Sequence, residues 1–148
     1  MRVLAIDWGK KKIGLAIGNT LSKNIIPIGV FLNNSLIFDK IKDIIKSYGV
    51  KKIVIGKPVF TKTYQVVPFF NEILEFSSKL TDFLKENDID LEIEYIEEEY
   101  TTFLAYDSLI NDFNLIGKKR GWKKRFKKIL SKLDSYSAVW ILKSYMGI

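Results

Sequence analysis

Acidic residues stand at three places in this chain where a hydrolytic metal site would need them. Asp7 closes the apolar run Val3-Leu4-Ala5-Ile6, ahead of the turn Trp8-Gly9-Lys10-Lys11-Lys12 and a second apolar run, Ile13 to Gly18. Glu97-Glu98-Glu99 follow the run Leu91 to Ile96 and come just before Thr101 and Thr102. Asp134 lies three, four and seven residues before Ser137, Ala138 and Ile141, a spacing that puts all four on one face of a helix. A carboxylate ending a strand of Val, Leu and Ile is costly to bury unless a cation or a hydrogen-bond network holds it. Phosphodiester hydrolysis on two metal ions draws its carboxylates from distant segments that meet near strand ends. Singly, each acid has a plainer role. Asp7 could bond turn amides, the glutamates could favour the positive end of a following helix, and Asp134 could pair with Lys132. Together they point to a divalent ion held beside a phosphate.

The absences narrow the chemistry. The 148 residues contain no cysteine and no histidine, which excludes disulfides, zinc sites of Cys and His, a thiol nucleophile and a Ser-His-Asp triad. A catalytic metal must then sit on oxygen ligands, which suits Mg2+ or Mn2+. The net charge is +7, which favours an anionic partner such as RNA or structured DNA. Lys10, Lys11 and Lys12 sit beside Asp7 and could meet a backbone phosphate. From Phe113 to Leu133 there is no acid and there are nine basic residues: Lys118, Lys119, Arg120, Lys123, Lys124, Arg125, Lys127, Lys128 and Lys132. As an amphipathic helix this segment would turn Phe126, Ile129 and Leu130 inward and its cations toward nucleic acid. No apolar run approaches a membrane span and no leader pattern opens the chain, so a cytoplasmic protein is expected.

These residues must be positioned by a set of strands and helices. The length suits one domain, residues 1–148. Arg2 to Asp7 and Ile13 to Gly18 read as an antiparallel hairpin, and Ile25 to Phe31 as a third strand near an edge because of Pro27. Asn34 and Ser35 can cap a helix carrying Leu36, Ile37, Ile41, Ile44 and Ile45, which Gly49 ends. Lys52 to Ile55 reads as a short buried strand stopped by Gly56, Lys57 and Pro58. A looser stretch, Val59 to Val67, leads to a helix opened by Pro68. Leu91 to Ile96 is the fifth strand, Thr101 or Thr102 caps a third helix through about Asn111, and a final helix holds Tyr136, Val139, Trp140 and Leu142. The order predicts an α/β fold with a mixed sheet.

Four stretches, in order, resemble the YqgF family, the RuvX or Holliday junction resolvase group. They are Asp7-Trp8-Gly9-Lys10-Lys11-Lys12-Ile13-Gly14-Leu15-Ala16, Ile53-Val54-Ile55-Gly56-Lys57-Pro58, Glu97-Glu98-Glu99-Tyr100-Thr101-Thr102, and Leu133-Asp134-Ser135-Tyr136-Ser137-Ala138-Val139-Trp140-Ile141-Leu142. The resemblance implies an RNase H-like fold: a mixed five-stranded sheet with strands 1–3 antiparallel and strands 4 and 5 parallel to strand 1, flanked by helices. It implies a metal-dependent nuclease that matures the 5′ end of pre-16S ribosomal RNA and could meet ribosomal precursor particles. By position, Asp7, Glu98 and Asp134 would be both the catalytic and the metal-binding residues. The chain departs from the family pattern where Glu99 stands for the usual Arg, Gly18-Asn19 for a frequent Ser-Asp, and Val59 to Tyr64 for an Asp-Gly-rich loop. A Holliday junction resolvase-like DNA endonuclease and a catalytically inactive RNA-binding protein of the same fold are the alternatives. A sugar-kinase or actin-like phosphotransferase needs two such domains, for which the chain is too short.

Overall fold

The computed structural model describes residues 1–59, 70–99 and 137–148, with the side chains of Val59, Glu98 and Glu99 outside the description. Strand β1 (Arg2–Asp7) pairs antiparallel with β2 (Lys12–Asn19), in register from Arg2 opposite Asn19 to Asp7 opposite Gly14. The turn between them depends on Gly9, because a Cβ there would strike the Lys12 carbonyl oxygen. Strand β3 (Ile25–Leu32) continues the antiparallel pattern on β2 and forms one edge of the sheet. Its register slips between Leu15 and Ala16, which face Gly29 and Pro27, so Ile28 bulges out. A proline and a bulge on an outer strand discourage further strand addition.

Helix α1 (Ile37–Tyr48) buries Ile37, Ile41, Ile44 and Ile45, and Gly49 ends it in the left-handed conformation at φ 63°. Strand β4 (Val50–Val59) runs parallel to β1, helix α2 (Phe70–Glu86) follows, and β5 (Glu92–Glu99) runs parallel to β4. The last helix, α3, spans residues 137–146. The sheet order is β3-β2-β1-β4-β5. This is the mixed five-stranded arrangement expected of an RNase H-like fold, with β1 at the centre.

Two expectations need correction. Strand β4 does not stop at Gly56. It runs on through Gly56, Lys57 and Pro58, paired with Ile96, Glu97 and Glu98 of β5. Its pairing with β1 ends at Ile55, so Pro58 has a strand on one side only, where a missing N–H is tolerated. Helix α1 is capped at Leu36 without a side-chain bond, rather than by Asn34 or Ser35. Asn34 Oδ1 instead accepts the Leu36 N–H at 3.0 Å, one step ahead of the helix. Val59, expected to open the looser stretch to Val67, is instead the last residue of β4; the rest of that stretch, the opening at Pro68, the helix from Thr101 and the basic segment lie outside the described residues.

Two cores form on opposite faces of the sheet. One face carries Leu4, Ile6, Ile13, Leu15, Ile53 and Ile55 and is covered by α1 and α2. Phe38 stacks obliquely on Phe76 and Phe83, at centroid distances of 5.4 and 5.6 Å. The other face carries Val3, Ala5, Ala16 and Val54, covered by Ala138, Ile141, Leu142 and Met146 of α3.

Candidate active site

Asp7 is the last residue of the central strand, and it is half-buried. It shares the parity of Val3 and Ala5, so it belongs to the face that α3 covers. The sheet there is made of small residues. Ala5, Ala16 and Ala138 are fully buried and Ser137 nearly so. A Cβ on Gly18 would meet Met146 Cε at 3.1 Å and Leu142 Cδ2 at 3.3 Å, which shows how closely α3 approaches. The expected burial of Ser137, Ala138 and Ile141 against the sheet is therefore observed.

The parallel strands β1, β4 and β5 bring their carboxyl ends to the same side of the sheet. Ile6 lies opposite Ile55, and Ile55 opposite Tyr95, so the level of Asp7 is reached on β5 at Ile96. Glu98 is two positions further along β5, opposite Pro58. The structure thus brings the backbone positions of Asp7 and Glu98 to one end of the sheet. Asp134 lies outside the described residues. Among the described residues no group of three carboxylates gathers into a metal site. Glu97 is exposed and pairs with Lys57 in the register.

Lys10, Lys11 and Lys12 are all exposed on the turn beside Asp7. The turn is held in place by Asn33, whose Nδ2 donates to the Gly9 carbonyl at 2.8 Å and whose backbone N–H donates to the Lys11 carbonyl at 2.9 Å. Sequence reasoning missed this role. The run Asn33-Asn34-Ser35 signals a turn, but nothing local shows that it grips a turn 24 residues away. Lys118, Lys119, Arg120, Lys123, Lys124 and Arg125 lie outside the described residues.

A second missed residue is Lys52 on β4. Its Nζ is 2.5 Å from Glu94 Oε2 and 3.8 Å from Glu92 Oε2 on β5, and it sits 5.1 Å from the Tyr145 ring centre of α3. Hydrogen bonds to Glu94 and then Tyr145 hold its ammonium above the ordinary lysine range, against the opposing effect of burial. This contact fastens α3 to the edge of the sheet. No helix among the described residues is long and apolar enough to cross a membrane.

A family model described as RuvX, Holliday junction resolvase, matches residues 1–147. A protein of Sulfurihydrogenibium named "Putative pre-16S rRNA nuclease" is 34% identical over 146 residues, spanning 98% of this chain and 89% of that protein. A Malacoplasma penetrans protein of the same name is 33% identical over 146 residues, spanning 99% of this chain and 94% of that protein. Among solved structures, the yeast mitochondrial Holliday junction resolvase Ydc2 aligns with a TM-score of 0.46 at 13% identity, over 97% of this chain and 78% of its own. The fowlpox virus Holliday junction resolvase aligns with a TM-score of 0.45 at 18% identity, over 99% of both chains. By a family match spanning nearly its whole length and by relatives of similar length, this chain belongs to the RuvX family.

Proposed function

We propose that this chain is a metal-dependent nuclease that hydrolyses RNA phosphodiester bonds in 5′-end maturation of pre-16S ribosomal RNA, in the cytoplasm. The observation that carries the reading is the half-buried Asp7 at the carboxyl end of the central strand, on the same side of the sheet as the acidic end of β5. Ligands of open α/β sheets bind outside the carboxyl ends of the strands. The relatives named for pre-16S rRNA support the substrate.

The donors fit a hard divalent cation, because they are carboxylate oxygens with no nitrogen or sulfur among them. Asp7, Glu98 and Asp134 would hold Mg2+ or Mn2+, Asp7 from the rigid centre of the sheet and Asp134 from the approach to α3. Bound there, the metal supplies a water of lowered pKa and charge stabilisation at the leaving oxygen, the two-metal pattern. The residues of the chain do the rest. The closely packed α3 fixes the distance between its own N-terminal side and the strand ends. Gly9 and Asn33 set the lysine turn, which presents Lys10, Lys11 and Lys12 to the phosphates flanking the scissile bond. The basic segment from Lys118 extends the contact along the RNA.

The test is cleavage of a precursor 16S transcript beside a four-way DNA junction, each with Mg2+ or Mn2+, by the wild type and Asp7→Asn. Cleavage of the transcript that depends on Asp7 supports the reading. Cleavage of the junction alone would transfer the chain to the second reading, a DNA endonuclease, which the family description favours. Binding without cleavage of either would leave an RNA-binding protein.

A further inference from the structure

On the opposite face of the same strand end, the residue after Asp7 opens into a cleft of about 410 Å³. Its floor is Trp8, Ile37, Phe38 and Phe76. Its sides are lined by the turn Asn33-Asn34-Ser35 and by Glu72, Glu75 and Lys79 from the first three turns of α2. The volume is within the range of about 300–1,000 Å³ typical of small-ligand sites. The walls differ in hydrogen-bonding character. Asn34 spends its Oδ1 on the Leu36 N–H, which leaves its amide NH2 as a donor. Glu75 is engaged by Lys79 at 3.0 Å, whereas Glu72 has no ion-pair partner among the described residues and offers two acceptor oxygens.

We propose that this cleft receives an unpaired guanine of the RNA substrate, next to the nucleotide whose phosphate lies at Asp7. This deepens the nuclease reading and rests on it. An aromatic and aliphatic floor accepts the flat face of a base. Carboxylates at the rim exclude a phosphate, which the exposed Lys10, Lys11 and Lys12 attract on the neighbouring turn. A carboxylate takes two parallel N–H bonds, and guanine alone of the four bases has two adjacent N–H donors, N1 and N2, on one edge. Its O6 and N7 acceptors would then be free for the Asn34 amide, which also lines the cleft. Uracil, adenine and cytosine can give Glu72 only one bond each. Asn33 couples the two sites, since it lines the cleft and also holds the lysine turn through Gly9.

The experiment is fluorescence anisotropy of labelled RNA pentamers, four uridines around a central G, A, C or U, in EDTA so that nothing is cleaved. The wild type should bind the G pentamer roughly tenfold more tightly than the other three, the lower range for a two-bond base contact. Glu72→Gln should bring all four within about twofold of each other. Glu86→Gln, the same charge change at the exposed end of α2, should keep the preference. Equal affinity of the wild type for all four pentamers, or a preference that survives Glu72→Gln, overturns the proposal. Because no metal is present, such a failure concerns the cleft alone; failure of the nuclease reading would show separately, as transcript cleavage that does not need Asp7.

Discussion

The two faces of the sheet differ in the size of what they bury. Under α1 and α2 the sheet presents Leu4, Ile6, Ile13, Leu15, Ile53 and Ile55 to isoleucines, leucines and phenylalanines. Under α3 it presents Val3, Ala5, Ala16 and Val54, and glycine at position 18, to Ala138, Ile141 and Leu142. Large side chains remove more apolar area from water, at about 25 cal/mol per Å², so among the described residues the first face buries more of it. Small ones give up that area and let a helix approach the strands closely. The face with the smaller described side chains is the one to which Asp7 belongs. A site made of acids from distant segments would need short, fixed distances more than bulk, which this face suits.

The comparison can be broken by substitutions on each side. Leu80→Ala, in the middle of α2 and fully buried, should cost about 2–5 kcal/mol in urea unfolding while leaving cleavage per folded molecule intact. Asp7→Asn should do the reverse. Cleavage should fall about 100-fold or more, since even indirect supports of a metal site cost 10–100-fold, while the unfolding midpoint should change far less than in Leu80→Ala. Ala138→Leu tests close approach itself. It should destabilise by about 1–3 kcal/mol through overpacking and should also lower the cleavage rate, as α3 is pushed from the strands. If that variant loses stability without losing activity, α3 does not set the site.

The smallest effect concerns the fastening of α3. Lys52→Met should cost about 1 kcal/mol, because Glu94 is two-fifths exposed and rehydrates when its partner is removed. The pH dependence follows from the direction of the shift. A lysine whose value is raised in the folded state contributes fully below the free-lysine value of about 10.4 and loses that contribution only as pH climbs toward its folded value. The penalty of Lys52→Met, followed by thermal unfolding, should therefore be equal at pH 6 and pH 9 and shrink above about pH 10.4.

What could be read from the sequence was local. The run from Val3 to Gly18 contains both strands, the turn and the carboxylate, and all of its pairing is between neighbours. Gly49 ended α1 as its lack of a Cβ requires. The spacing of Ser137, Ala138 and Ile141 placed α3 on the sheet correctly. What escaped was non-local. Gly56 and Pro58 look like a stop until β5 pairs with them, and nothing near Pro58 shows that β1 has already ended. Lys52 reads only as the first residue of a buried strand, and its partners Glu94 and Tyr145 come from two other elements. Asn34 was expected to cap α1, yet it bonds the Leu36 N–H just ahead of the helix, a one-residue shift that composition does not encode. At the candidate site, the position of Asp7 at the end of β1 could be read from the sequence, whereas the choice of Glu98 among three adjacent glutamates rests on the family pattern alone.

The central claim is that Asp7 holds a divalent ion together with acids from other segments. Isothermal titration of Mn2+ into the wild type and Asp7→Asn, without nucleic acid, tests it most directly. Saturable binding that weakens at least about tenfold in the variant is the predicted result. Equal binding by the two proteins, or none by the wild type, would contradict the claim.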